Sequence, residues 1–180
     1  MKFFTFVFGI CSFLYVQGQN HFTRYDELIV LDKLGDTLKN PWVGGFNSVQ
    51  FSEVDLNLDG VKDLFVFDRV GGKISTFINS GIANQVSYIS APSYSKFFPE
   101  KLHDWALLRD YNCDGKMDLF TSTSGGIAVY KNISDTELKF VLVADELFSD
   151  AQPDSINASY VNIYVSSADV PAIDDIDNDG

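Results

Sequence analysis

Apolar residues in this chain come in short runs, each broken within a few residues by Gly, Asn, Asp or Ser. Segments 49–54, 64–67, 73–78, 105–108, 119–122, 127–130, 139–143 and 160–165 are rich in Val, Ile, Phe and Tyr. Runs of that length and composition, bounded by turn residues, predict β-strands. No long segment carries a 3.6-residue period, so the pattern predicts an all-β fold. Segment 26–38 reads as a strand hairpin turning about Lys33-Leu34-Gly35-Asp36, and 92–101 as a loop between strand groups.

One apolar run is of another kind. Lys2 precedes 14 apolar or small residues, 3–16, and Val16-Gln17-Gly18 offers tolerated residues at the −3 and −1 positions of a cleavage site. Residues 1–18 therefore read as a secretory signal cut before Gln19, too short for a bilayer span of ~20 residues. The expected location is secreted or cell-surface. Segment 19–43 follows as an N-terminal strand segment, and 44–180 is organised by a repeat.

The repeat has three copies. They are Asp55-Leu56-Asn57-Leu58-Asp59-Gly60-Val61-Lys62-Asp63-Leu64-Phe65, then Asp110-Tyr111-Asn112-Cys113-Asp114-Gly115-Lys116-Met117-Asp118-Leu119-Phe120, then Asp175-Ile176-Asp177-Asn178-Asp179-Gly180. Downstream, Val70-Gly71-Gly72 is echoed by Ser124-Gly125-Gly126, and Asn79 by Asn132. Asp or Asn at positions 1, 3 and 5 of a curled loop turns oxygens toward one centre. Gly at position 6 permits the turn, and the carbonyl at position 7 adds a further donor. Several hard oxygens are what Ca²⁺ prefers over Mg²⁺ or Zn²⁺. The expected ligands are Asp55, Asn57, Asp59, the Val61 carbonyl and Asp63 in the first loop. In the second they are Asp110, Asn112, Asp114, the Lys116 carbonyl and Asp118, and in the third Asp175, Asp177 and Asp179. An EF-hand is excluded by Val66 and Thr121, which stand where it needs Glu, and by flanks that read as strands. A single Asp-Asn-Gly cluster would equally suit a solvated turn; its recurrence favours metal.

Charge sharpens this reading. The chain carries 25 acidic against 13 basic residues, a net charge of −12 that becomes −13 without the leader's lysine. Such a chain is repelled by nucleic-acid phosphates and anionic lipid. Nine of the acidic residues sit in the three loops. Only Cys113 remains after the leader, so there is no disulfide framework.

At these residues the chain resembles the FG-GAP/VCBS repeat proteins, the calcium-binding repeats of integrin-α-like β-propellers, in the style of exported Bacteroidetes-type proteins. The likeness runs from about residue 44 to 132 and resumes at 170–180. Gly45-Phe46-Asn47 stands near the family's Phe-Gly element and Val70-Gly71-Gly72 near its Gly-Ala-Pro element; both are degenerate, and the calcium loop is the well-kept part. The resemblance implies four-stranded blades with the loop in a rim hairpin, and no particular chemistry. A closed propeller needs ~4–8 blades. The expectation is therefore an all-β partial β-propeller of about two to three four-stranded blades, its remaining blades on the same chain beyond Gly180.

Catalytic signals are sparse. The histidines are His21 and His103. His103-Asp104-Trp105 invites a dyad reading, but neighbours along a strand do not face each other and the segment reads as a polar loop before a strand; Cys113 sits in an acidic loop that disfavours a thiolate. Trp42, Tyr88, Tyr94, Phe97, Phe98 and Trp105 are candidate ligand-binding aromatics. Asn132-Ile133-Ser134 and Asn157-Ala158-Ser159 match the glycosylation triplet. The expected function is a non-catalytic exported calcium module for adhesion or ligand binding, with a surface glycan or protein as ligand. The alternative is an accessory propeller of an extracellular enzyme, such as a polysaccharide-degrading one.

Overall fold

The computed structural model describes residues 25, 28–82, 85, 87–150 and 159–174. The chain divides after Thr37 into two units. In the first, the expected hairpin is reduced to one antiparallel bridge, Leu31 to Thr37. Its turn is held by Asp32 Oδ1, which accepts the N–H groups of Leu34 and Asp36 at 2.8 and 2.9 Å.

The second unit is built from antiparallel strands. The first sheet is a meander of β1 (Val49–Val54), β2 (Asp63–Asp68), β3 (Lys73–Asn79) and β4 (Tyr88–Ser90). The second repeats the order with β5 (Ala106–Arg109), β6 (Asp118–Ser122), β7 (Ile127–Asn132) and β8 (Phe140–Ala144). A two-stranded ribbon follows, β9 (Phe148–Asp150) against β10 (Tyr160–Asn162). The all-β expectation and the four-stranded sheets hold; the described residues form no closed ring.

The expected loop at 92–101 contains a 3-10 helix, Pro92–Phe97, started by proline with its preset φ. It delivers Phe98 into the core, with ring centroids 4.6 Å from Phe65 and 5.1 Å from Phe140. β4, the edge of the first sheet, is capped by one side chain. Asn40 accepts the Ser90 N–H at 2.9 Å and donates to the Tyr88 carbonyl at 2.8 Å, occupying backbone groups that an edge strand would otherwise expose.

Period-2 alternation places the core. Val54, Phe65, Phe67, Leu102, Leu108 and Leu119 pack in one cluster between the two sheets. Trp105, Phe120, Ile127 and Val129 lie in a second cluster, with Val165 and Ile173 against it. Central strand β6 is buried along its whole length. The edge strands β1 and β5 meet through side chains: Gln50 Oε1 accepts the Ala106 N–H at 3.0 Å and Ser52 Oγ the Leu108 N–H at 3.1 Å. The segment before the third repeat sits next in line, where the Ile173 carbonyl accepts Arg109 Nε at 3.0 Å.

The glycine pairs have a packing reason. Gly72 (φ 60°) follows β2, and a Cβ there would lie 2.7 Å from the Leu102 carbonyl oxygen. A Cβ on Gly126 would lie 2.8 Å from Asn162 Oδ1 and 3.0 Å from the Ile163 oxygen. In each sheet this turn is where the next stretch of chain passes over.

Candidate metal centres

Each loop joins the first two strands of its sheet, and the two tips share a set of backbone bonds in which each partner lies 55 residues on. Asp55 accepts the N–H groups of Asp59 (3.1 Å) and Gly60 (2.8 Å); Asp110 accepts those of Asp114 (3.2 Å) and Gly115 (2.7 Å). Asn57 and Asn112 each accept the same Asp N–H at 3.2 Å. Asp59 then accepts the Val61 N–H at 2.8 Å, and Asp114 the Lys116 N–H at 3.0 Å. Backbone conformation repeats too. Position 4 is left-handed in both (Leu58 φ 62°, Cys113 φ 56°), as is position 6 (Gly60 φ 86°, Gly115 φ 83°). Asp and Asn accepting N–H groups two to five residues on curl the chain tightly, and glycine takes position 6 without Cβ strain.

Position 9 differs from the tip. Asp63 and Asp118 are fully buried, whereas Asp55, Asp59, Asp110 and Asp114 are half-buried or exposed. Asp63 Oδ2 accepts the Leu56 N–H at 2.9 Å and Oδ1 the Asn79 N–H at 2.7 Å. Asp118 Oδ2 accepts the Tyr111 N–H at 3.3 Å and Oδ1 the Asn132 N–H at 2.6 Å. Burial pushes both carboxyls above the usual carboxylate range. The N–H bonds oppose that shift, and the neighbouring Asp59 and Asp55, or Asp114 and Asp110, add to it.

The loops also differ in two respects. Asn57 Nδ2 donates to Asp59 Oδ2 at 2.8 Å in the first. In the second, Asn112 Nδ2 donates to Asp118 at 3.0 Å, and the Lys131 ammonium stands 3.5 Å from Asp114 Oδ2.

The donors are hard oxygens, and all but Asp118 Oδ2, which accepts from both the Tyr111 N–H and Asn112 Nδ2, keep a second lone pair, so their chemistry suits calcium. Among the described residues, no three His, Cys, Asp or Glu side chains converge into a ready-made metal cage. Asp175, Asp177 and Asp179 lie outside the described residues, as do His21 and Asn157.

Phe98 and Trp105 are core residues, and Tyr94 and Phe97 pack against the core; Trp42 is exposed. His103 and Asp104 lie in the expected loop before β5 and meet there, with Nδ1 2.8 Å from Oδ2, because Asp104 is left-handed (φ 59°). Ser122 Oγ reaches Asp104 at 3.4 Å and not the imidazole, so nothing here activates a serine. Asn132 and Ser134 of the first glycosylation triplet are buried, and Ile133 between them is exposed; the Asn132 amide is engaged. Its Nδ2 donates to the Met117 carbonyl at 3.0 Å and its Oδ1 accepts from Ser134 N at 3.0 Å, leaving no amide for a glycan. No helix among the described residues is long and apolar enough to cross a membrane.

Comparison of the chain with protein-family models, curated proteins and solved structures gives no match.

Proposed function

We propose that this chain is an exported calcium-binding β-repeat module of FG-GAP/VCBS type, its sheets serving as blades of a propeller that presents loops for adhesion or ligand binding without catalysis. One observation carries the reading. Two acidic loops 55 residues apart share the same side-chain-to-backbone bonds and the same two left-handed positions. Two unrelated solvated turns have no reason to coincide at that level, whereas two copies of one ion-binding device do. Calcium would be held by Asp55, Asn57, Asp59, the Val61 carbonyl and Asp63, and by Asp110, Asn112, Asp114, the Lys116 carbonyl and Asp118. The ion would neutralise the carboxylates and draw the tips together, acting as a structural staple.

Titration calorimetry tests this. Asp59→Ala and Asp114→Ala each remove one calcium site from the stoichiometry; unchanged stoichiometry in both variants, or no calcium heat in the parent, overturns it.

A further inference from the structure

The base of each loop is tied by bonds that none of the tip residues makes. Asp63 Oδ1 holds the backbone N–H of Asn79 at the end of β3, and the Asn79 side-chain amide returns to the Lys62 carbonyl at 3.1 Å. In the second sheet, Asp118 holds the Asn132 N–H at the end of β7, and Asn132 Nδ2 returns to the Met117 carbonyl at 3.0 Å. Each Asp also reaches into its own loop, to Leu56 or Tyr111. The result is a two-way clamp. It continues the β2–β3 and β6–β7 pairing past the last ladder residues and fastens the root of the loop to the sheet. Asn132 is further fixed by Ser134, whose backbone N–H donates to Asn132 Oδ1 and whose hydroxyl accepts the Lys139 N–H at 2.9 Å.

We propose that the pairs Asp63–Asn79 and Asp118–Asn132 are latches that preform the two loops without a cation, making Asn79 and Asn132 positioning residues for the ion sites. The inference rests on the calcium reading for its effect on affinity, and on the hydrogen bonds alone for its effect on folding. The Asn side chains carry no carboxylate and lie outside the ligand sets, so a change there reaches an ion only through loop geometry. Losing one amide–carbonyl bond at a buried loop root is worth about a factor of ten in an equilibrium.

The test uses the full chain and its Asn79→Ala and Asn132→Ala variants, with calcium as the probe. Two measurements are made: melting in chelator, and calcium affinity by calorimetry. To assign affinities to sites, each variant is paired with Asp59→Ala or Asp114→Ala. The latch predicts a lower melting temperature in chelator for both variants. It also predicts about tenfold weaker calcium binding at the loop each one serves, with the other loop unchanged. Melting temperatures in chelator equal to the parent's overturn the latch, as does calcium affinity lost equally at both loops. If the parent takes up no calcium, the ion reading falls, and melting in chelator alone decides whether the latch stands.

Discussion

Lys131 sets the two loops apart at the level of single residues. Its ammonium, 3.5 Å from Asp114 Oδ2, occupies the position of a competing cation in the second loop, where the first has the Asn57 amide. The pair is partly exposed and its energy modest. Lys131→Met should therefore tighten calcium at the second loop by about twofold to fivefold, read by calorimetry in an Asp59→Ala background. Asp68 gives a pH signature. The N–H groups of Asn47 and Ser48 hold its carboxyl below the usual carboxylate range; burial opposes them, and Val70 N–H and the Lys73 charge assist. A depressed folded-state pKa means its contribution is complete above the ordinary carboxylate value and lost as pH falls through the depressed one. Asp63 and Asp118, raised by burial, act with the opposite sign: their ionised forms penalise the calcium-free fold, and the penalty lifts as pH falls through the raised values. Asp68→Asn should flatten the acid limb of a stability–pH curve; an unaltered limb would remove Asp68 from the account.

At the scale of the elements, the glycine pairs separate two causes of intolerance. Gly71 is left-handed (φ 91°) but faces open space, so Gly71→Ala should cost about 1 kcal/mol from backbone strain alone. At Gly72 the added methyl must also displace the Leu102 backbone, and Gly72→Ala should cost about 2–4 kcal/mol in chemical denaturation. Equal losses at the two positions would contradict the close approach. This is also where sequence reading reached its limit. The echo of Gly71-Gly72 in Gly125-Gly126 was visible, but its reason depends on Leu102 and Ile163, which lie 30 and 37 residues further on. Strands with alternating or continuous apolar runs, such as β1, β2 and β6, were legible. β4 and β9, three residues each, are too short to carry a period. The recurrence of Asn79 at Asn132 was likewise visible. Its role was not, because a hydrogen bond to residue 62 or 117 leaves no pattern along the chain. His103 and Asp104 fall in the expected polar loop before a strand, but their contact was not legible, since nothing local to those residues announces a left-handed Asp.

Across the fold, charge and architecture are joined. A chain of net charge −12 concentrates carboxylates in loops that share the same side-chain-to-backbone bonds in successive sheets. The two sheets are joined through Gln50 and Ser52, and Arg109 ties the second to the Ile173 carbonyl. The most direct measurement is thermal unfolding of the full chain in chelator, in Ca²⁺ and in Mg²⁺. With both loops at ten times Kd, each ion contributes ~1.4 kcal/mol. Calcium should then raise the melting temperature by about 5–10 °C, magnesium by much less, and the Asp59→Ala/Asp114→Ala double variant should lose the gain. A melting temperature the same in chelator as in calcium would contradict the account.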